Sequence, residues 1–351
     1  MKKLIKRGTK VLRKEGIMPF LTKTLNYISP KVGMKPYFYN YIIGYPLMKY
    51  RVRSLPRQKN KIRQLEQSDE WLLIILDACR YDRFEKYFDT YFEGEIKPIQ
   101  SEGYNTFQYV QHTWPDFHEI TYITGAAPIN ATKFDFNNDL ELKGIADKNK
   151  RLAKRYSGYR PVDHIENIVE VWRTDWDEDL GVCPPEPVTS TAIRHAKDKP
   201  QMVVHYFQPH IPYIGEKRKL SDVQNVDERL QGGAIGMGIW KSAQKGNLSH
   251  EQLLELYDSN LKRVLNSVCE FILNTNYKNI VIMGDHGENL GEYGMYGHKV
   301  SNTYTRIVPW AVIESVRKRP DIDNKKDPTG QTIQTDDQAT VEDRLESLGY
   351  I

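Results

Sequence analysis

The chain has 351 residues, of which 39% are hydrophobic and 27% are charged, so it can build a sizeable core, and these proportions exclude general disorder. With 50 basic and 46 acidic residues the net charge is +4, which gives no reason to expect a nucleic acid partner. The three cysteines, Cys79, Cys183 and Cys269, are far apart and form no disulfide framework, which indicates a reducing compartment.

The N-terminal part is predicted to be a basic appendage. Apolar residues within 4–12 share one face of a helix rich in lysine, and an aromatic stretch follows at 37–50. Such a helix either docks on the rest of the chain or lies on anionic lipid. The sequence contains neither an apolar run of roughly 20 residues, as a membrane span needs, nor the apolar region of a signal peptide. We therefore expect a cytoplasmic protein, with peripheral contact to the inner membrane surface as an open alternative.

Strand and helix signals alternate from residue 71 onward. The apolar run at 71–76 is typical of a strand buried on both faces, and it ends at Asp77. Helices are predicted at 80–88 and 251–273. Further strands are predicted at 120–124, 202–207, 279–283 and 309–314. This alternation indicates an α/β fold with a mostly parallel sheet, in which ligands bind at the carboxyl ends of the strands.

Three segments follow from these elements. We predict the appendage over 1–70, a catalytic domain over 71–317 and a polar tail over 318–351. Lysine, aspartate, glutamine, threonine and proline dominate most of the tail, which is typical of an exposed segment, and a short helix is predicted at its end.

The strongest local signal is GDHGENLGEYGMYGH at 284–298, directly after a predicted strand. Asp285 and His286 emerge at the strand end, and His298 returns after a glycine-rich loop. Carboxylate and imidazole groups are ordinary ligands of zinc and manganese, and glycines let the backbone pass close to an ion. The segment therefore predicts a metal site, and the alternative is a glycine-rich turn with a capping Asp-His pair.

This segment resembles the DHGE…GE…G…H motif of the alkaline phosphatase superfamily, particularly its sulfatase, phosphoethanolamine transferase and lipoteichoic acid synthase branches. Two more segments are similar to that family, in the family's order: LIILDACRYD around Asp77 and VVHYFQPHIPY around His210. The resemblance implies an alkaline-phosphatase-like, doubly wound, mostly parallel sheet flanked by helices. It also implies that Asp77, Asp285, His286 and His298 bind metal and that His210 acts on the substrate.

Two histidines also allow a purely structural interpretation. His210 could be a structural loop residue, and His205, inside the predicted strand, is expected to pack in the core. A shared site is nevertheless favoured, because three ligand-bearing loops at three strand ends converge on one crevice in a parallel sheet.

The family's nucleophile is a hydroxyl or modified cysteine at a helix N-terminus, where backbone amides and the helix dipole stabilise an anionic ester. The corresponding window here is 101–119, which contains Ser101, Thr106 and Thr113. Thr106 is the predicted nucleophile, because the residues after it can form a helix that Thr106 would cap. The alternative is that Thr106 is a plain N-cap. Thr113 leaves almost no room for a helix before the next strand.

The resemblance implies a metal-dependent hydrolase or transferase of phosphate or sulfate esters, with zinc or manganese favoured over calcium or magnesium. The Cys-x-Pro-x-Arg signature of formylglycine sulfatases is missing, since the nearest segment, at Cys183, has Pro187 in place of the arginine. Arg80 and Lys299 are candidates for neutralising substrate charge. The basic charge favours an ester of a cell-surface polysaccharide or lipid head group. The alternatives are a sulfuric-ester hydrolase with an unmodified nucleophile and a degenerate member that binds a glycan or lipid.

Overall fold

The computed structural model describes residues 45–52, 54–130, 159–218 and 237–318. The basic helix predicted within 4–12, most of the aromatic stretch and the helix predicted at the end of the polar tail lie outside these residues. Within the described ranges, no helix has the length and apolar character needed to cross a membrane.

A seven-stranded sheet forms the centre of the fold. In chain order the strands are β1 (Trp71–Asp77), β2 (Phe92–Gln100), β3 (His118–Thr124), β4 (Ile165–Glu170), β5 (Gln201–Pro209), β6 (Ile280–Gly284), β7 (Asn289–Leu290), β8 (Tyr296–Gly297) and β9 (Ile307–Val316). The spatial order is β2-β9-β6-β1-β5-β3-β4, and β7 pairs with β8 in a separate two-stranded ladder. Strand β9 is antiparallel to both of its neighbours, whereas β1 pairs in parallel with β5 and β6, and β3 pairs in parallel with β4 and β5.

Helices cover both faces of this sheet. In chain order they are α1 (Tyr45–Val52), α2 (Gln58–Leu65), α3 (Tyr81–Tyr91), α4 (Thr106–Thr113), α5 (Val171–Thr174), α6 (Pro185–Ala196), α7 (Met237–Gln244), α8 (His250–Leu273) and α9 (Thr303–Arg306). Apolar side chains of α3, α6 and α8 share one core cluster, and those of α2 and α4 share another.

Strand β1 joins the two clusters because all seven of its residues are buried. Leu72, Ile74 and Leu76 pack in the cluster with α3, α6 and α8, while Leu73 and Ile75 pack in the cluster with α2 and α4. Each fully buried leucine or isoleucine contributes about 1.5–3 kcal/mol, so the strand is held from both sides. The predicted α/β class, a doubly wound and mostly parallel sheet flanked by helices, is confirmed.

The five predicted strands all exist, but their arrangement differs from the expectation in two ways. The last one, β9, runs antiparallel to the others, which its apolar pattern does not indicate. Strands β2 and β4 are not predicted by the sequence pattern, because they lie at the two edges of the sheet. Strand β2 carries exposed charged residues and Pro98, as edge strands often do, and so lacks a continuous apolar run.

Candidate metal centre

The predicted site residues meet at the carboxyl edge of the parallel strands. Asp77 ends β1, Asp285 and His286 directly follow β6, and His210 follows β5. Because β1 lies between β5 and β6, these three strand ends are neighbours. Open α/β sheets bind their ligands at this edge.

The turn after Asp77 has an unusual backbone. Ala78 has φ of 57°, in the left-handed region that residues other than glycine rarely adopt. In this conformation its N–H donates to Asp285 Oδ1 at 3.0 Å, and its carbonyl accepts from the Tyr257 hydroxyl at 2.7 Å. The same Oδ1 accepts from the His286 N–H at 2.6 Å, so the second carboxylate oxygen of Asp285 is left to face the site. The turn thus fixes the first predicted ligand beside the second.

Thr106 begins α4, and its side chain is completely buried. Its Oγ1 lies 3.3 Å from Asp77 Oδ2 and 3.3 Å from His286 Nε2. The expectation that Thr106 caps the helix is wrong, because Asn105 is the N-cap and its side chain accepts from Gln108 N at 2.9 Å. The Thr106 hydroxyl is instead directed at a carboxylate and an imidazole.

The other two hydroxyls of the window are placed differently. Thr113 ends α4, at the opposite end of the helix from Thr106. Ser101 Oγ lies within hydrogen-bond distance of the backbone carbonyl oxygens of Asp285 and Gly103, the latter at 2.7 Å. Of the three hydroxyls, Thr106 is the one next to the side chains of predicted metal ligands.

One buried group of possible ligands surrounds Thr106. Asp77, His205 and Asp285 hold ligand atoms within 4.8 Å of one another. His286 Nε2 lies 3.5 Å from Asp77 Oδ1 and 3.4 Å from Asp285 Oδ2. Burial raises the pKa of Asp285 and lowers the pKa of His205 to about 4 and that of His286 to about 3. A divalent cation binds neutral imidazoles and ionised carboxylates. The lowered pKa values keep these histidines neutral, and a cation would offset the cost of ionising a buried carboxyl group.

A second group adjoins the first. His210, Glu288 and His298 also hold ligand atoms within 4.8 Å of one another. The ring centroids of His286 and His298 are 4.4 Å apart, so the two groups are contiguous. Burial raises the pKa of Glu288 to about 7 and lowers the pKa values of His210 and His298 to about 3. Sequence reasoning did not single out Glu288, although it is the glutamate of the DHGE motif.

Backbone carbonyls orient two of the rings. His286 Nδ1 lies 2.9 Å from Gly287 O, and His210 Nδ1 lies 2.6 Å from Ile211 O. A carbonyl oxygen only accepts, so in each ring Nδ1 carries the proton and Nε2 presents a lone pair to the site. Metal-binding histidines usually donate their other N–H in this way.

Three buried atoms of these groups, His205 Nε2, Asp285 Oδ2 and Glu288 Oε2, have no hydrogen-bond partner among the described residues. A buried polar atom without a hydrogen-bond partner lowers the free energy of unfolding by roughly 1–3 kcal/mol. Carboxylate oxygens and imidazole nitrogens together suit zinc or manganese. The residues present therefore fit the cation that the motifs imply.

His205 is buried as expected, but it does more than fill the core. Its Nδ1 lies 2.9 Å from the Tyr122 hydroxyl, and its Nε2 lies 3.9 Å from Asp77 Oδ2. Strand β5 thus contributes a histidine to the wall of the site as well as the loop that bears His210.

Arg80 does not face a substrate as an unpaired cation. Its guanidinium is buried, lies 2.8 Å from Asp82 and 2.5 Å from Glu292, and stacks 4.8 Å from the centre of the Tyr304 ring. Asp82 and Glu292 already neutralise the charge of Arg80, which was a candidate for binding the substrate. Cys79 is buried beside the site, as expected of a structural thiol.

No family model matches the chain, and no curated protein matches it. Solved structures do match. The soluble domain of lipooligosaccharide phosphoethanolamine transferase A from Neisseria meningitidis is 13% identical, with 74% of this chain and 77% of that one covered and a TM-score of 0.41. The C-terminal periplasmic domain of EcEptC from Escherichia coli, in complex with zinc, is 14% identical, with 71% and 74% covered and a TM-score of 0.40.

A 2-O GAG sulfatase also matches, with 12% identity, 70% of this chain and 64% of that chain covered, and a TM-score of 0.38. In the described residues, a mostly parallel seven-stranded sheet holds the three motif segments at adjacent strand ends, as the predicted α/β fold requires.

Proposed function

We propose that the chain is a metal-dependent hydrolase or transferase of phosphate esters, with Thr106 as its nucleophile. The observation that carries the proposal is the position of Thr106 Oγ1, 3.3 Å from both Asp77 and His286, at a helix N-terminus within a buried group of carboxylates and imidazoles. A hydroxyl nucleophile and ligands for a divalent cation are the two parts that such chemistry needs.

Asp77, Asp285 and His286 would hold the cation, and His205 lies within reach of the same position. When bound, the cation supplies a Lewis acid that lowers the pKa of the hydroxyl and offsets the charge of the ester. The N-terminus of α4 adds backbone dipoles that favour an anion at Thr106.

The covalent step is a displacement at phosphorus. Thr106 Oγ1 forms a bond to phosphorus while the bond from phosphorus to the leaving oxygen breaks. As this bond forms, the proton of the Thr106 hydroxyl, whose oxygen lies 3.3 Å from Asp77 Oδ2, passes to water, and the leaving oxygen takes a proton from water, so that no net proton is gained or lost. Water in a hydrolase, or an alcohol in a transferase, then attacks phosphorus, releases Thr106 and returns a proton to its oxygen.

We further propose that His210, Glu288 and His298 hold a second cation next to the leaving group. Sequence reasoning assigned His298 to the metal and His210 to the substrate. The Nε2 of His210 presents a lone pair, which suits a cation better than an ester oxygen. His210 would then act on the substrate through the cation that it binds.

The proposed substrate is a phosphate ester carried by a glycan or a lipid head group. Support comes from the excess of basic residues, with a sequence pI of about 8.6, and from the missing formylglycine signature. A sulfuric-ester hydrolase that uses the unmodified Thr106 is the second candidate, because the same ligands would suit either ester.

The first experiment measures metal content and turnover on the same samples. Wild type, Asp285→Ala and Thr106→Ala are analysed for bound zinc and manganese, and then assayed with an aryl phosphate diester and an aryl sulfate. We expect stoichiometric metal in the wild type, loss of metal in Asp285→Ala, and retained metal without turnover in Thr106→Ala. Asp89→Ala is the matched control, because Asp89 is an exposed carboxylate on α3.

The substrates separate the candidates. Faster turnover of the phosphate diester supports the proposal, and faster turnover of the sulfate favours the sulfuric-ester hydrolase. A wild type that holds metal but cleaves neither ester would indicate a degenerate member that binds a glycan or lipid. A wild-type protein that neither binds metal nor cleaves either ester would contradict the catalytic proposal.

A further inference from the structure

Helix α2 reaches the site although it precedes the predicted catalytic segment. Its first residue, Gln58, has a completely buried side chain that lies between two backbones. Gln58 Nε2 donates to Gly284 O at 2.6 Å, and Gln58 Oε1 accepts from Glu102 N at 3.1 Å. Gly284 ends β6, immediately before the proposed ligand Asp285, and Glu102 lies in the loop that leads to Thr106. One side-chain amide therefore ties the ligand strand to the nucleophile loop.

Further contacts hold the start of α2 to the same loop. The Arg57 guanidinium pairs with the Glu102 carboxylate, with Nε 3.2 Å from Oε1. The Lys59 N–H donates to the same oxygen at 3.2 Å, and Gln100 N donates to Pro56 O at 2.9 Å. Glu102 is buried, so loss of these donors would leave a buried carboxyl group without hydrogen-bond partners, which is costly. The loop therefore cannot move without breaking its contacts to α2.

The same loop also contacts Asp285 and α4, the helix that bears the proposed nucleophile. Ser101 Oγ donates to the backbone carbonyl of Asp285. Gly103 packs directly on α4, because a Cβ at this position would lie 2.5 Å from Tyr109 N. A displacement of the loop at 101–105 would thus be passed on to the first turn of α4.

We infer that Gln58 is a positioning residue that sets the distance between the Thr106 hydroxyl and the ligands Asp285 and His286, an inference that rests on the proposed function. A primary amide both donates to the Gly284 carbonyl and accepts from the Glu102 N–H. Methionine has a similar length and can do neither strongly, and glutamate lacks the donor. Misplacement of a reacting group by about 1 Å can cost on the order of 100-fold in rate.

The test compares Gln58→Met with Gln64→Met in the full chain. Gln64 is a residue of the same helix that is not buried, so it controls for the substitution itself. With an aryl phosphate diester we expect Gln58→Met to lower kcat on the order of 10- to 100-fold, with KM and bound metal per chain changed less than about twofold. Gln64→Met should leave kcat, KM and metal content unchanged. A purely structural role predicts instead that activity falls only with the folded fraction, measured by circular dichroism.

A second measurement does not depend on turnover. Cobalt(II) is bound in place of the natural metal, and its visible absorption reports the groups around the ion. We expect Gln58→Met to shift this spectrum in the same direction as Thr106→Val, and we expect no shift in Gln64→Met. If Gln58→Met fails to fold, Gln58→Glu, which keeps the acceptor and loses the donor, takes its place in both measurements.

An unchanged kcat together with an unchanged cobalt spectrum in the Gln58 variant overturns the inference. A loss of kcat that matches the loss of folded protein, with an unchanged spectrum, overturns it as well. If the wild type binds cobalt but cleaves no ester, the proposed function fails, while the spectra still decide whether Gln58 positions Thr106.

Discussion

Glu288 illustrates how its surroundings change the chemistry of a single residue. Its side chain is completely buried, and burial raises the pKa of its carboxyl to about 7. One carboxylate oxygen lies 2.9 Å from His298 Nδ1, and the other has no hydrogen-bond partner among the described residues. A carboxylate in this position is stabilised by a cation far more than by the protein alone.

The change Glu288→Gln tests that role, because it keeps the shape of the side chain and removes the charge that a cation needs. We expect the variant to bind about one metal ion fewer per chain than the wild type and to lose most of its ester turnover. Metal analysis after gel filtration measures the first effect, and Glu119→Gln, at an exposed glutamate of β3, is the control. Full metal content in Glu288→Gln would contradict the assignment.

At the scale of elements, α8 does more than cover the sheet. Its N-terminus is closed by a capping box of Ser249 and Gln252, and the helix presents Tyr257 to the turn after β1. The Tyr257 hydroxyl donates to Ala78 O at 2.7 Å and accepts from Arg80 N at 3.0 Å. The long helix thereby holds the strained turn that sets Asp77 beside Asp285.

Removing this single hydroxyl should loosen the turn. Tyr257→Phe leaves a buried carbonyl and a buried N–H without their partner, which costs roughly 1–3 kcal/mol in the free energy of unfolding. Urea unfolding measures this loss, and metal titration should show weaker binding. Tyr213→Phe is the matched control, because Tyr213 packs edge-on against Tyr257 and its hydroxyl has no hydrogen-bond partner among the described residues. Equal stability losses in the two variants would argue against a special role for Tyr257.

At the scale of the whole molecule, the sheet gathers titratable groups that lie far apart in the chain. Four histidines, His205, His210, His286 and His298, have pKa values lowered by burial to about 3 or about 4. Burial raises the pKa values of two carboxyls, Asp285 and Glu288. A histidine with a lowered pKa contributes stability above its unfolded pKa of about 6.5 and loses that stability as the pH falls. The two raised carboxyls have the opposite effect, but the histidines outnumber them.

The metal-free protein should therefore become less stable as the pH falls from about 7 to about 5. Bound metal should raise stability at neutral pH, by about 4 kcal/mol at a free concentration 1,000 times the dissociation constant. Thermal melting with chelator, and with added zinc or manganese, at several pH values measures both effects. A Tm that changes with neither chelator nor added zinc would contradict a metal site of this kind.

Much of the fold was predictable because it depends on local patterns. The apolar run of β1 indicates a strand buried on both faces, and the long helical pattern of α8 indicates its bounds to within a residue. Edge strands β2 and β4 carry no such run, and an apolar pattern like that of β9 is the same for either strand direction. The direction of a strand depends on its connections and its neighbours.

The sequence by itself determined which residue types follow the strands: Asp77 after one apolar run, Asp285 and His286 after another, and Thr106 at the start of a helix. Local periodicity and motif spacing carry that information. Only the tertiary structure decided that His205 stands beside Asp77 and that Gln58 joins two backbones of the site. The reason is physical: these contacts depend on strand order and on the register between segments distant in the chain, and no local pattern encodes either.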